Sequence, residues 1–212
     1  DAVVPLMFES WEIDLGRDDV DLDALRAAGI RFAGTNERHP TVDVFSYLGP
    51  MAVKLLADGA ISTYGARLLL LCDNPFLPYL RDGLSRSGAD VTVSEQFDAD
   101  LLHDRLDAVV IALQPGDEPV ITEAQIAAIA ERSPDLAIAQ FWGDVPRDRC
   151  AESGLPCVPA TDPGQGHMGV LPSAVGPEPI VRLQAGGLKV GELLHRGEGT
   201  WSDDDRRFID EV

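Results

Sequence analysis

Two rhythms of apolar and polar positions alternate along this chain, and Ala66 to Glu95 (ARLLLLCDNPFLPYLRDGLSRSGADVTVSE) contains both. Leu68 to Leu71 is an unbroken apolar run of strand length, the pattern of a strand buried on both faces. Cys72-Asp73-Asn74-Pro75 interrupts it, and Asp or Asn before Pro predicts an N-cap followed by a first helical turn. Phe76, Leu77, Leu80 and Leu84 then recur at helical spacing, Gly88 stops the helix, and Val91-Thr92-Val93 is a second, β-branched strand. The prediction is a strand, a crossover helix and a parallel strand, with the helix N-terminus facing the crevice above the sheet, where such folds bind ligands.

The same alternation extends in both directions. Ala2 to Phe8 predicts a strand, at an edge or near its end because of Pro5. Glu9 to Asp23 is an acidic loop holding a short turn, and a short helix through Leu22 and Leu25 closes at Gly29 before a strand at Arg31 to Ala33. Thr41 is a plausible N-cap for a helix from Val42 to Ala57, which Pro50 should kink by removing a backbone bond. Beyond the central unit come a short helix at 99–105, a strand at Ala108 to Leu113 stopped by Gln114-Pro115-Gly116, a Thr122-capped helix at Glu123 to Arg132, and a strand at Leu136 to Phe141. A short helix at Arg147 to Ser153, a strand at Pro156 to Pro159 and a closing helix at Ile180 to Arg196, weakened by Gly186, Gly187 and Gly191, complete the order. Residues 197–212 form a polar tail apart from Trp201 and Phe208. Strands alternating with helices predict an α/β class fold, a doubly wound parallel sheet of Rossmann-like type. The expected domains are a reduced or truncated N-terminal lobe with its linking helix (1–58), the parallel-sheet domain (59–196) and the tail (197–212).

Composition narrows the partners. The 212 residues are 45% hydrophobic and carry a net charge of -19, with only two lysines, Lys54 and Lys189. A surface so negative repels phosphate backbones and anionic lipid, so neither nucleic acid nor a membrane is expected as partner. No apolar run approaches the ~20 residues that span a bilayer. Three cysteines, Cys72, Cys150 and Cys157, match no metal-ligand spacing and read as small buried hydrophobes in a reducing, cytoplasmic protein.

Few residues carry candidate chemistry. His167 stands in a Gly-rich loop after the last strand, where an imidazole can exchange a proton near neutral pH; the alternative is a loop histidine bonded to a backbone carbonyl. Asn36, Glu37, Arg38 and His39 form a polar cluster before the linking helix, or an ordinary solvated turn. Phe141 and Trp142, at the end of the fourth strand of the parallel sheet, could stack on a flat ligand or belong to the core. No nucleophile elbow, Cys–His pair or metal spacing is present.

The order of elements resembles the D-2-hydroxyacid dehydrogenase family of the formate/glycerate dehydrogenase type over roughly Ala2 to Arg196. The similarity rests on LRAAGIRFAGTNE before the linking helix, on LDAVVIALQP, on ITEAQIAAIAERSPDLAIAQF, and on His167-Met168-Gly169 in the place of the family's late histidine. The resemblance implies hydride transfer between NAD or NADP and a small hydroxy or keto acid, in a homodimer. It makes His167 the acid/base and places Asn36, Glu37, Arg38 and His39 on the substrate side. It puts the cofactor-binding turn at Cys72, Asn74, Pro75, Phe76 and Leu77, with Gln114, Pro115 and Trp142 nearby. Glu95, 23 residues after Cys72, is near the usual offset of about 20 for a carboxylate that holds the ribose.

The chain also departs from that pattern. The family's three phosphate-loop glycines align with Cys72, Asn74 and Leu77, and side chains there narrow the approach of a backbone to a pyrophosphate. Gln140-Phe141-Trp142-Gly143 replaces the family's arginine segment, with no arginine until Arg147. Two readings therefore stand: an NAD(P)-dependent oxidoreductase, or a Rossmann-like protein that no longer binds a dinucleotide. The second would be a partner or scaffold protein, or a cofactor-free enzyme using the same mouth on another small ligand.

Overall fold

The computed structural model describes residues 2–14, 17, 19–103 and 105–210. The expected loop at 9–23, helix at 99–105 and tail at 197–212 fall partly outside these residues. In chain order the elements are β1 (Val3–Pro5), α1 (Trp11–Asp14), α2 (Leu22–Ala27), β2 (Arg31–Thr35), α3 (Leu48–Asp58), β3 (Arg67–Leu71), α4 (Leu77–Arg86) and β4 (Asp90–Ser94). They continue as β5 (Ala108–Ala112), α5 (Glu123–Arg132), β6 (Ala137–Trp142), α6 (Arg147–Glu152), β7 (Cys157–Val158), α7 (Glu178–Arg196), α8 (Asp203–Phe208) and β8 (Ile209–Asp210). Two compact units result, residues 1–45 with 176–212 and residues 46–175.

The second unit carries the expected doubly wound parallel sheet and includes α3, whose expected place is with the N-terminal lobe. Its five strands run in the order β4-β3-β5-β6-β7, and every pairing is parallel. After β3 the chain moves outward to β4, then returns to place β5 on the other side of β3. The order therefore reverses at β3/β5, the position where open parallel sheets form a crevice at their carboxyl edge. The apolar runs are continuous because both faces are covered: Leu68 to Leu71 and Ala108 to Ala112 are all fully buried. Leu69, Leu71, Val109, Ile111 and Ile138 face Ile126 and Ile129 of α5 and Cys150 of α6, and α3 and α4 pack on the opposite side, α3 against β6 and β7. The N-cap predicted at Thr122 is present, and it is part of a capping box in which the Gln125 side chain accepts from the Thr122 amide.

Helix α3 starts later than its apolar periodicity suggests. Phe45–Tyr47 is a 3-10 turn and Tyr47 is the N-cap, while Thr41 bonds the ring of His39 instead of capping a helix. Pro50 consequently lies in the first turn, where no intrahelical N–H bond exists to be lost, so the expected kink has no cause. Gly49 of α3 meets Gly83 of α4 so closely that a Cβ on Gly83 would stand 2.3 Å from the Gly49 Cα.

The first unit is a three-stranded sheet, β1-β2-β8, with β1 parallel and β8 antiparallel to β2. Pro5 ends the edge strand β1, as its lack of an N–H requires. Helix α7 packs on β1 and β2, which corrects its expected place in the parallel-sheet domain. Two of the three glycines read as weaknesses are what bring it close: a Cβ on Gly186 would lie 3.0 Å from Thr35 Cγ2, and one on Gly187 would lie 2.8 Å from Met7 Cγ. The polar tail is corrected as well. Ser202 and Asp205 form a capping box for α8, and Phe208 and Ile209 join Ala33, Val42, Val190 and Leu193 in the core of this unit.

Replacing Gly83 by alanine pushes a methyl into the Gly49 backbone. Overpacking of about 1–3 kcal/mol outweighs the gain in helix propensity of about 1 kcal/mol, so the urea midpoint should fall with an unchanged slope. Gly116, with nothing within 4 Å of the place a methyl would take, is the comparison: Gly116→Ala should stay within about 0.5 kcal/mol of the parent.

Candidate functional site

The carboxyl edge of the parallel sheet is organised by the turn after β3. The Cys72 amide donates to the Ser94 carbonyl at 3.0 Å, holding the exit of β3 against β4. On the other flank, Asp73 Oδ1 accepts from the Gln114 amide at 2.9 Å, and Asn74 Nδ2 donates to the Ala112 carbonyl at 2.7 Å. The turns leaving β3 and β5 are thus stitched together across the point where the strand order reverses. Asn74 Oδ1 also accepts from the Phe76 amide at 3.1 Å, and the Asn74 carbonyl accepts from the Leu77 amide at 3.2 Å. This corrects the expected cap: Phe76 is the N-cap of α4, and Pro78, not Pro75, occupies its first turn. Asn74 closes a turn ahead of the helix, and its amide group is drawn across to β5.

Aromatic side chains line the β6 side of the same edge. The buried Phe76 ring lies 5.2 Å from Trp142 and 6.4 Å, edge-on, from Phe141. Trp142 Nε1 donates to the Gly166 carbonyl at 3.2 Å, and the Gly166 amide donates to both oxygens of Asp144, at 3.0 and 3.1 Å. The Gly169 amide donates to the Phe141 carbonyl at 2.9 Å, and a Cβ on Gly169 would stand 1.8 Å from the Gln140 carbonyl oxygen, so only glycine fits there. These contacts hold the loop bearing His167 against the end of β6.

His167 is exposed, and its Nδ1 lies 2.9 Å from the Gln165 carbonyl. A carbonyl can only accept, so this contact fixes the proton on Nδ1 and makes Nε2 the acceptor presented outward. The carbonyl-bonded alternative is therefore the observed state. Glu95 is exposed just past β4, and Pro115 is half-buried beyond β5. Arg147 turns toward the sheet, donating to Gln140 Oε1 at 2.7 Å and to the Pro159 carbonyl.

These residues do not fit a dinucleotide pyrophosphate. Such a group needs free backbone N–H donors and an open approach. Here the amides of Phe76, Leu77 and Gln114 already have acceptors within the chain, the exposed Asp73 carboxylate adds like charge, and the Asn74 side chain crosses the gap.

The other predicted residues, Asn36 to His39, belong to the first unit and divide by role. Asn36 Nδ2 donates to the Arg207 carbonyl at 2.7 Å. His39 is buried, with Nδ1 2.9 Å from Thr41 Oγ1, Nε2 3.5 Å from Asp204, and its ring on Phe208. Both anchor the C-terminal segment. Glu37 and Arg38 instead join a carboxylate that sequence pattern does not single out. Glu9 is 1% exposed and accepts from the Glu37 amide, from Arg38 and from Trp11 Nε1. Its only signal in the sequence is a single acid between the apolar strand and Trp11. Burial, with Glu12 and Glu9 close by, holds the Glu37 carboxyl well above the usual range; burial also raises Glu12, against the pull of Arg17.

Among the described residues no three His, Cys, Asp or Glu side chains are placed to hold a metal ion, and no helix is long and apolar enough to cross a membrane. No protein-family model matches the sequence, and no curated protein sequence matches it. Solved structures do. A dipicolinate synthase subunit from Bacillus halodurans is similar at a TM-score of 0.55 and 15% identity, over 82% of this chain and 63% of that one. The corresponding dipicolinate synthase chain from Bacillus subtilis is similar at 0.55 and 13%, over 82% and 61%. This chain therefore spans less than two thirds of their length, and what is shared at such identity is the fold.

Glu37 gives the Glu9 cluster of the first unit a pH signature. Its native pKa lies above the unfolded value, so its contribution is complete below the ordinary carboxyl range and is lost as pH rises through the raised native value. Glu37→Gln cannot ionise. At pH 8 it should be more stable than the parent by on the order of 1 kcal/mol, about 2–4 °C, and the difference should vanish near pH 4. Thermal midpoints of both proteins across that range check this.

Proposed function

We propose that this chain is a Rossmann-like protein of the oxidoreductase type that has given up dinucleotide binding and uses the mouth above its parallel sheet for a smaller ligand without a diphosphate. The observation that carries the reading is the Asn74 side chain, bonded at once to the Ala112 carbonyl and the Phe76 amide where a phosphate loop would stand open. Around it lie Trp142, Asp144 and the loop of His167, whose Nε2 can accept a hydrogen bond or a proton from a ligand hydroxyl or ammonium. We assign His167 as the proton-exchanging group, and Trp142 as the flat surface on which such a ligand rests.

A second reading keeps hydride transfer with NAD or NADP, with Glu95 on the ribose. The resemblance in element order and the fold shared with the dipicolinate synthase structures favour it. It requires the Asn74 bridge to open and the Phe76 and Gln114 amides to change acceptors.

Titration with NADH and NADPH separates the two readings. A ligand that binds only the native state at a hundred times its Kd adds about 2.7 kcal/mol of stability, several degrees for a protein of this size. The proposal predicts no change in the thermal midpoint and no saturable change in nicotinamide fluorescence up to about 1 mM cofactor, a concentration at which micromolar binding would be plain. Saturable micromolar binding would restore the hydride-transfer reading.

A further inference from the structure

The three cysteines do not share one environment. Cys72 is enclosed at the end of β3, and burial pushes its thiol up to about 11. Cys150 and Cys157 lie on either side of the short connection between α6 and β7, which turns at Gly154 in the left-handed region (φ 73°). Cys150 is fully buried in the core on the α5/α6 face of the sheet, and Cys157, half-buried on the edge strand β7, packs against the same cluster. All three are free thiols, but Cys150 and Cys157 stand on two elements in contact, α6 and β7, within one side-chain cluster.

We propose that Cys150 and Cys157 form a peroxide-reactive dithiol, with Cys157 as the attacking sulfur and Cys150 as the sulfur that resolves it into an intramolecular disulfide. The placement assigns the roles. Cys157 is the accessible member of the pair, half-buried on an edge strand, while Cys150 is fully buried. The neighbouring Cys150 side chain, with the positive charge of Arg147 in support, pulls the Cys157 thiol below its usual value against burial and the Asp162 carboxylate. Cys150 is enclosed in the core, where the neighbouring Cys157 and burial raise its thiol. Arg147 is held beside the pair by its bonds to Gln140 and to the Pro159 carbonyl.

The chemistry balances with a hydroperoxide as oxidant. The Cys157 thiolate attacks the proximal oxygen; an S–O bond forms, the O–O bond breaks, and the alcohol or water leaves with a proton. Cys157 is then a sulfenic acid. Cys150 attacks that sulfur; the S–S bond forms, the S–O bond breaks, and the departing hydroxide takes the Cys150 proton as water. Two thiols give up two electrons and two protons, and the peroxide is reduced.

Treating the reduced protein with hydrogen peroxide tests this without any substitution. The expected product is the intact monomer lighter by two hydrogens, with one peptide pair linking Cys150 to Cys157 and Cys72 still alkylatable. Cys157 should react at least about tenfold faster than Cys72, in keeping with the dependence of thiol oxidation on thiolate fraction and access. Cys150→Ser should stop at a sulfenic acid on Cys157 that dimedone traps, and Cys157→Ser should leave Cys150 unoxidised. The proposal is overturned if Cys157 reacts no faster than Cys72, if the linked peptides include Cys72 or a second chain, or if sulfinic acid builds up on Cys157 in the unsubstituted protein.

Discussion

Asn74 sits where a doubly wound sheet is most open. When β3 and β5 part company, the last carbonyl of one strand and the first amides of the next turn lose their ladder partners, and something must satisfy them. In a nucleotide-binding version of this architecture, glycines keep the gap clear for a phosphate. In this chain an asparagine spans it, donating to the Ala112 carbonyl and accepting from the Phe76 amide, while Asp73 takes the Gln114 amide. Each such bond is worth about 1 kcal/mol net, but leaving the same groups buried and unpaired would cost more, so the bridge resists opening. Everything downstream at this edge is arranged on a closed turn: the Phe76 ring against Trp142, Trp142 on the Gly166 carbonyl, and His167 behind it.

Glycine placement gives the two units their remaining logic. In the parallel-sheet unit, Gly49 and Gly83 let α3 and α4 touch backbone to backbone. In the other unit, Gly186 and Gly187 seat α7 against Thr35 and Met7. A glycine inside a helix costs up to about 1 kcal/mol in propensity, and close packing of this kind offsets it.

Much of the parallel sheet is legible from residue pattern alone. Leu68 to Leu71 and Ala108 to Ala112 are apolar at every position, which only burial on both faces explains, and the capping box at Thr122 has a local signature. Where pattern and structure part, one cause recurs: distant contacts override local chemistry. Asn74-Pro75 has the composition of a helix cap, but the Asn74 side chain is held toward the Ala112 carbonyl and its oxygen accepts the Phe76 amide in a turn ahead of the helix. The glycines of α7 look like breakers until the sheet beneath them is known. Residues 197–212 look polar because two buried residues, Phe208 and Ile209, are enough to fix a short helix and an edge strand. Glu9 is illegible for a related reason, since one acid in an acid-rich loop gives no hint that four donors converge on it.

Amide resonances of the turn itself report most directly on the closed switch point. An amide-resolved NMR titration with inorganic pyrophosphate and ADP-ribose should leave the signals of Asp73, Asn74, Phe76, Leu77 and Gln114 unmoved up to about 10 mM, with the Phe76 and Gln114 amides slow to exchange because both are already bonded. Saturable movement of those signals, together with fast exchange at Phe76 and Gln114 in the free protein, would mean that the Asn74 bridge opens for phosphate and that this account of the site is wrong.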